Sequence, residues 1–206
     1  MKVLAAHDAE KLLSTYVNVS KNILSSDVDQ AILFAKYPAV LKIISQQALH
    51  KTEIKGVRIV HNKEDLMQNY ADLLKSALKH NIILDGILVQ KFEEGTEIFI
   101  GIKKDETFGH VIGLGLGGIY VEQLKDVQWR KCPITEKDAD SMIEHLKMKD
   151  VIKGVRNEHN NVNDLKKTLI TVSHIPKRYP DLKEMDINPL ILKDKATVVD
   201  ARMVFE

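Results

Sequence analysis

Close to the end of the sequence, Asp186-Ile187-Asn188-Pro189 is followed by Val198-Val199-Asp200-Ala201. On an extended strand Asp186 and Asn188 point the same way, because side chains alternate with a period of two. Twelve residues separate Asn188 from Asp200, enough chain for a hairpin that sets them side by side. Carboxylates and an amide oxygen are hard donors of the kind Mg²⁺ takes, with substrate phosphates completing its shell. The plain alternative makes Asn188-Pro189 a turn and Asp200 a strand-end cap. A second anomaly is Lys42, inside Val40-Leu41-Lys42-Ile43-Ile44. Alternation sets it opposite Leu41 and Ile43, either on the wet face of an edge strand, which period alone favours, or buried against an anion. A buried ammonium needs a partner, and phosphate oxygens supply one.

Two further features could touch phosphate. Gly113-Leu114-Gly115-Leu116-Gly117-Gly118 contains glycines that permit positive φ and close backbone approach to an anion. No Gly-Lys-Ser/Thr follows, so it is not a Walker A loop, and no helix opens there with dinucleotide spacing. A glycine-lined bend between strands explains it equally well. His50, in Leu49-His50-Lys51-Thr52-Glu53, has the side chain of a phosphorus nucleophile, although most loop histidines are merely solvated. The other histidines show no metal-ligand spacing. Cys132 lies beside Pro133 without a histidine partner and reads as inert.

The elements that position these groups follow from period and punctuation. Ala9, Leu12, Leu13 and Tyr16 recur at helical spacing, predicting a helix over 6–16. Ser26 and Asp27 can cap a helix over 28–36 that Pro38 stops. Residues 39–44 and 57–60 read as strands joined by a polar, hairpin-like loop. Leu66, Tyr70, Leu73, Leu74, Ala77 and Leu78 mark one face of a helix over 63–80. Strands are expected at 86–90, 96–101 and 126–130. A helix over 135–147 opens with Thr135 and Asp138 in near capping-box spacing, and another over 163–174 is ended by Pro176. Residues 182–186, 189–192 and 197–200 read as three short strands, and 157–163 as the most linker-like stretch. Irregular alternation with short turns favours an α+β fold with mainly antiparallel sheets over a doubly wound parallel one.

The composition agrees with an ordinary globular chain. Of 206 residues, 44% are hydrophobic, and 30 basic side chains nearly cancel 29 acidic ones. That length suits one large domain or two small lobes. A net charge of +1 gives no case for a nucleic-acid or acidic-membrane partner. One cysteine excludes an internal disulfide framework and a multi-cysteine zinc cage. No apolar run approaches the roughly 18–20 residues that span a bilayer. The first thirteen residues lack a secretory signal, so a cytoplasmic protein is expected.

In order along the chain, Pro38-Ala39-Val40-Leu41-Lys42-Ile43, Leu49-His50-Lys51-Thr52-Glu53, Leu88-Val89-Gln90, Gly95-Thr96-Glu97, Gly115-Leu116-Gly117-Gly118-Ile119-Tyr120-Val121-Glu122, Asp186-Ile187-Asn188-Pro189 and Val199-Asp200-Ala201-Arg202 resemble the ATP-grasp β subunit of ADP-forming acyl-CoA synthetases, the acetate–CoA ligases of NDP-forming type. Each motif is weak singly; their order and spacing are specific, and the resemblance runs from about residue 9 to 204. It implies a single ATP-grasp domain over 1–206, two α+β lobes (20–90 and 91–206, with the helix of 1–19 packed on the second) enclosing a nucleotide. It implies the reversible conversion of acyl-CoA, ADP and phosphate to carboxylate, CoA and ATP, with an α subunit carrying CoA-binding and ligase domains in an α2β2 assembly.

The same resemblance assigns roles. His50 would be a phosphoryl carrier, with Glu122 and Arg130 as orienting residues. Lys42 would neutralise phosphate charge on bound ATP or ADP, Gln90, Lys91 and Phe92 would form the hinge beside adenine, and Glu97 would lie near the ribose or phosphate end. Gly115, Gly117 and Gly118 would offer backbone N–H groups to the moving phosphoryl group. Asn188 and Asp200 would hold Mg²⁺, with Asp186 as a further ligand. The chain departs from the family pattern at Lys91 and Phe92, where Glu and Met are usual. A silent nucleotide sensor or scaffold, or a different ATP-grasp carboxylate ligase with no need for His50, are the competing readings.

Overall fold

The computed structural model describes residues 1–45, 56–118, 126–155 and 159–206. The chain divides into two compact units, Ser20–Phe92 and a second made of Met1–Val19 with Glu93–Glu206.

In the unit Ser20–Phe92, a four-stranded antiparallel sheet is built from β2 (Asn22–Ser25), β3 (Ala39–Ile44), β4 (Val57–Val60) and β5 (Gly86–Lys91), in the order β2-β5-β3-β4. Two helices cover one face. In α2 (Val28–Phe34) the Asp27 side chain accepts the Gln30 N–H, satisfying an amide with no intrahelical partner. In α3 (Lys63–Lys79) Asn62 does the same for Asp65, and Leu66, Tyr70, Leu73 and Ala77 form the buried stripe. They meet Leu41, Ile43, Ile87 and Val89 in one core, each fully buried aliphatic contributing about 1.5–3 kcal/mol.

The other unit is organised on a larger antiparallel sheet of β1 (Lys2–Leu4), β6 (Thr96–Asp105), β7 (Gly109–Leu116), β8 (Val127–Lys131), β9 (Leu182–Leu192) and β11 (Ala201–Phe205). Its order is β1-β11-β9-β6-β7-β8, and β10 (Ala196–Val198) pairs with β9. The face carrying Ile98, Ile100, Ile102, Ile112, Met185 and Ile187 is covered by α1 (Ala6–Leu13), α4 (Glu136–His145), α5 (Lys149–Lys153), α6 (Val162–Ser173) and α7 (Ile175–Arg178). Thr135 and Asp138 form a complete capping box on α4. Among the described residues, no helix is long and apolar enough to cross a membrane.

Several elements differ from the sequence reading. Only the end of the glycine tract is a bend: Gly113 and Gly115 lie within β7, and the chain turns at Gly118 after it. Residues 182–192 make one strand, not two, and Asp200 lies between β10 and β11 rather than in a strand. Pro176 opens α7 instead of only ending α6, since a proline in the first turn has no N–H to leave unsatisfied. The three-residue β1 and five-residue α5 are too short to show a period.

In its pairing with β6 the long strand β9 carries one irregularity. Ile98 pairs with Leu190 and Ile100 with Ile187, so two residues of β9, Asn188 and Pro189, oppose the single Phe99 of β6. This is a β-bulge, which shifts the in–out alternation by one and re-aims the side chains at the step. The buried positions accordingly run Met185, Ile187, then Leu190, Leu192.

Candidate functional site

Asn188 owes its direction to that bulge. Its N–H donates to the Asp200 carbonyl at 3.1 Å, while the N–H groups of Val199 and Asp200 both donate to the Pro189 carbonyl at 3.3 Å. The two donors expected from sequence are thus tied together through the main chain. The Asn188 side chain turns to the end of β7, where its Oδ1 accepts the Gly118 N–H at 2.9 Å. The preceding Gly117 donates its N–H to the Glu97 carbonyl at 2.8 Å. A Cβ on Gly118 would collide with the Glu97 carboxylate, which places that acid against the same turn.

Asn188, Asp200 and Glu97 therefore belong to one neighbourhood of β6, the β7 end and the β9–β11 junction. Their oxygens suit a hard divalent cation such as Mg²⁺, which keeps water or phosphate oxygens in the rest of its shell. Asp186 is two residues away on β9, paired with Arg202 on one side and Gly101 on the other. It lies on the sheet face opposite Met185 and Ile187. Burial, reinforced by the charge and hydrogen bond of Glu184, pushes its carboxyl up to about 6, against a lowering pull from Arg202. Sequence reasoning misses Glu184 and Arg202 as the acid and base around Asp186; the Glu-x-Asp spacing on one strand face is the available signal.

The glycine tract acts as a scaffold more than as an open cradle. A Cβ at Gly113 would meet the Trp129 ring at 2.9 Å, one at Gly115 the Asp126 carbonyl at 2.8 Å, and one at Gly117 the Glu97 and Ile98 backbone at 3.0 Å. The N–H groups of Gly117 and Gly118 are already given to Glu97 and Asn188. Their expected presentation to a phosphoryl group is not the arrangement found. Arg130 is also not brought to the neighbourhood. It pairs with Ile112, on the helix-covered face, and its guanidinium donates to Ser141 of α4 at 3.0 Å and to the Trp129 carbonyl at 2.8 Å.

In the other unit, Lys42 lies in an inner strand between β4 and β5, beside Val57 and Leu88, and is only 6% exposed. The wet-face reading is therefore corrected: β3 has no free edge, and the lysine is buried. Gln90, 1% exposed, sits at the end of β5 between Asn22 and Val40. Lys91 donates its N–H to the Lys21 carbonyl and accepts the Ser20 hydroxyl through its own carbonyl at 3.0 Å. Phe92 donates to the Pro38 carbonyl at 3.4 Å. The three hinge candidates are thus anchored by β2 and by the start of β3. His50 and Glu122 lie outside the described residues.

A buried lysine on one antiparallel sheet, and hard oxygen donors at the ends of another, are parts expected of a nucleotide-handling fold. A model of the ATP-grasp domain matches residues 1–205, and the chain belongs to this family. It is 35% identical to the acetate–CoA ligase (ADP-forming) II subunit beta of Pyrococcus furiosus, over 98% of this chain and 92% of that protein. Longer relatives are matched over only 30 or 31% of their length. Among solved structures, the dinucleotide-forming acetyl-coenzyme A synthetase 1 of Ca. Korarchaeum cryptofilum, in complex with coenzyme A and Ca-AMPCP, superposes with a TM-score of 0.94 at 34% identity, covering 100% of this chain and 94% of that one. Its complex with coenzyme A and Mg-AMPPCP, with the phosphohistidine segment pointing towards the nucleotide binding site, gives 0.86 at 33% identity, covering 100% and 93%.

Proposed function

We propose that this chain is the nucleotide-binding β subunit of an ADP-forming acetyl-CoA or related acyl-CoA synthetase. It moves a phosphoryl group between a phosphohistidine and ADP, so that acyl-CoA, ADP and phosphate become carboxylate, CoA and ATP. The observation that carries this is the pairing of Asn188 with Asp200 at the β9 bulge, hard oxygen donors on a chain closely similar to an ADP-forming ligase β subunit.

In this reading Asn188 and Asp200 hold Mg²⁺, and Asp186 stands behind them. Mg²⁺ held by these residues would supply charge neutralisation to the nucleotide phosphate oxygens. Lys42 adds a positive charge to the nucleotide phosphates from a buried position, where its field is weakly screened. Gln90, Lys91 and Phe92 face the base, and Glu97 faces the ribose or phosphate end. His50 is the carrier. A β-phosphate oxygen of ADP forms the new P–O bond as the P–N bond breaks, and the imidazole keeps the electron pair and takes up a proton. An imidazole suits both directions because it attacks when neutral and leaves readily when protonated near neutral pH. The domain spans 1–206, with one lobe at 20–92 and the other formed by 93–206 with residues 1–19. Its partner is an α subunit with CoA-binding and ligase domains, in α2β2 stoichiometry and in the cytoplasm.

The test is His50→Ala, mixed with the α subunit. Mg·ADP binding by calorimetry should persist while ATP formation from acyl-CoA falls by several orders of magnitude. Unchanged turnover would remove His50 from the mechanism. A wild-type chain that binds Mg·ADP but makes no ATP with any acyl-CoA and its partner would leave the silent sensor standing.

A further inference from the structure

Gly118 combines three properties at the candidate cation site. Its φ is +60°, in the left-handed region that side chains with a Cβ rarely adopt. A Cβ there would strike the Glu97 carboxylate. Its N–H donates to Asn188 Oδ1 at 2.9 Å. The last property has a consequence for coordination. A carboxamide can present either its oxygen or its NH₂ group to a neighbour, and only the oxygen accepts a hydrogen bond. The Gly118 N–H therefore settles which way Asn188 faces. The oxygen has two lone pairs; one is taken by Gly118, and the other remains for a cation. The main chain of Asn188 is held independently by the Asp200 carbonyl, so the amide is fixed at both ends.

We propose that Gly118 is the positioning residue of the cation site: its N–H orients Asn188 Oδ1 toward the metal, and its missing side chain lets the Glu97 carboxylate lie against the same turn. The proposal rests on reading Asn188 and Asp200 as cation donors. It gives Gly118 a role distinct from contact with a phosphoryl group. Partners that orient metal ligands are commonly worth 10- to 100-fold in metal affinity.

The experiment titrates Mn²⁺ into the full chain with saturating ADP, and separately titrates ADP in EDTA. For Gly118→Ala, Mn²⁺ should bind about 10- to 100-fold more weakly, with ADP affinity in EDTA changed less than about threefold. In an Asn188→Ala background the same substitution should cost less than it does in the wild type, because the oriented oxygen is already gone and only the displacement of Glu97 remains. Equal losses with and without metal, no loss, or additive losses in the double variant would each overturn the proposal. A wild-type chain whose ADP binding ignores Mn²⁺ would instead overturn the cation reading, and this inference with it. Should Gly118→Ala fail to fold, the ¹⁵N-labelled wild type answers the question. An ion on Asn188 Oδ1 lies within about 5 Å of the Gly118 nitrogen, so sub-stoichiometric Mn²⁺ with ADP should broaden that amide beyond detection. A Gly118 resonance that stays sharp while Mn²⁺ is bound would refute the assignment.

Discussion

Lys42 and Asn188 occupy strands of different kinds. Lys42 sits in β3, whose register with β5 runs unbroken from Ala39 to Ile44. Nothing in that backbone is special; only the residue type is, a cation where its neighbours are aliphatic. Asn188 sits where β9 carries one residue more than β6 can match. There the residue type is ordinary and the backbone is special. A regular strand can hold one charge, since it needs only burial and a partner. Bringing the Asn188 oxygen to the Gly118 N–H at the end of β7 needs a chain that leaves its ladder, because that re-aims a side chain that strict alternation would send to the other face.

That contrast predicts different failures. The largest concern the donors: Asn188→Ala or Asp200→Ala should weaken Mg²⁺-dependent ADP binding at least about 100-fold, leaving binding in EDTA nearly intact. Lys42→Met, which keeps length and apolar packing, should weaken ADP binding with and without metal alike, by about 10- to 150-fold for one charge-assisted contact. If the lysine variant lost only the metal-dependent part, the two regions would not act separately. A smaller effect is expected on stability. Gly115→Ala drives a Cβ onto the Asp126 carbonyl, so it should cost about 1–3 kcal/mol and lower Tm by several degrees, read by calorimetry.

The smallest effect is one of pH. The Asp186 carboxyl titrates at about 6, above the ordinary carboxylate value. The folded chain therefore binds a proton that the unfolded chain has released between about pH 4 and pH 6. Stability of the metal-free protein carries a contribution that is full below about pH 4 and is lost as pH rises through about 6. Asp186→Asn should flatten that descending limb in urea titrations from about pH 4.5 to 7.5, and an unchanged slope would assign it to another group.

Legibility follows the same division. The stripe of α3, the Asp27 cap and the Thr135–Asp138 box can be read directly, because periodicity and capping are local. The pattern of residues 39–44 marks β3 as a strand, but not that β4 and β5 flank it on both sides, so period alone sets the side chain of Lys42 in water. The sequence of β7 suggests a bend because its glycines look like turn residues. They are set by the ring of Trp129 and the carbonyl of Asp126, which lie on or beside another strand. Pattern splits β9 at Pro189 because proline usually ends a ladder. Here Pro189 supplies only its carbonyl, to Val199 and Asp200, so its missing N–H costs nothing. The proximity of Asn188 and Asp200 is legible from spacing; the link to Gly118, 70 residues away, is not, because no local pattern encodes it. Arg130 is placed by similarity alone, and its partner on α4 depends on packing.

The pairing of Lys2 with Phe205 across β1 and β11 has a consequence of its own. Their α-carbons are separated by only about 5 Å, the usual gap of an antiparallel pair. A short Gly/Ser bridge could join them, with new ends opened at the 106–108 hairpin tip. Such a circular permutant would retain every ladder of the large sheet.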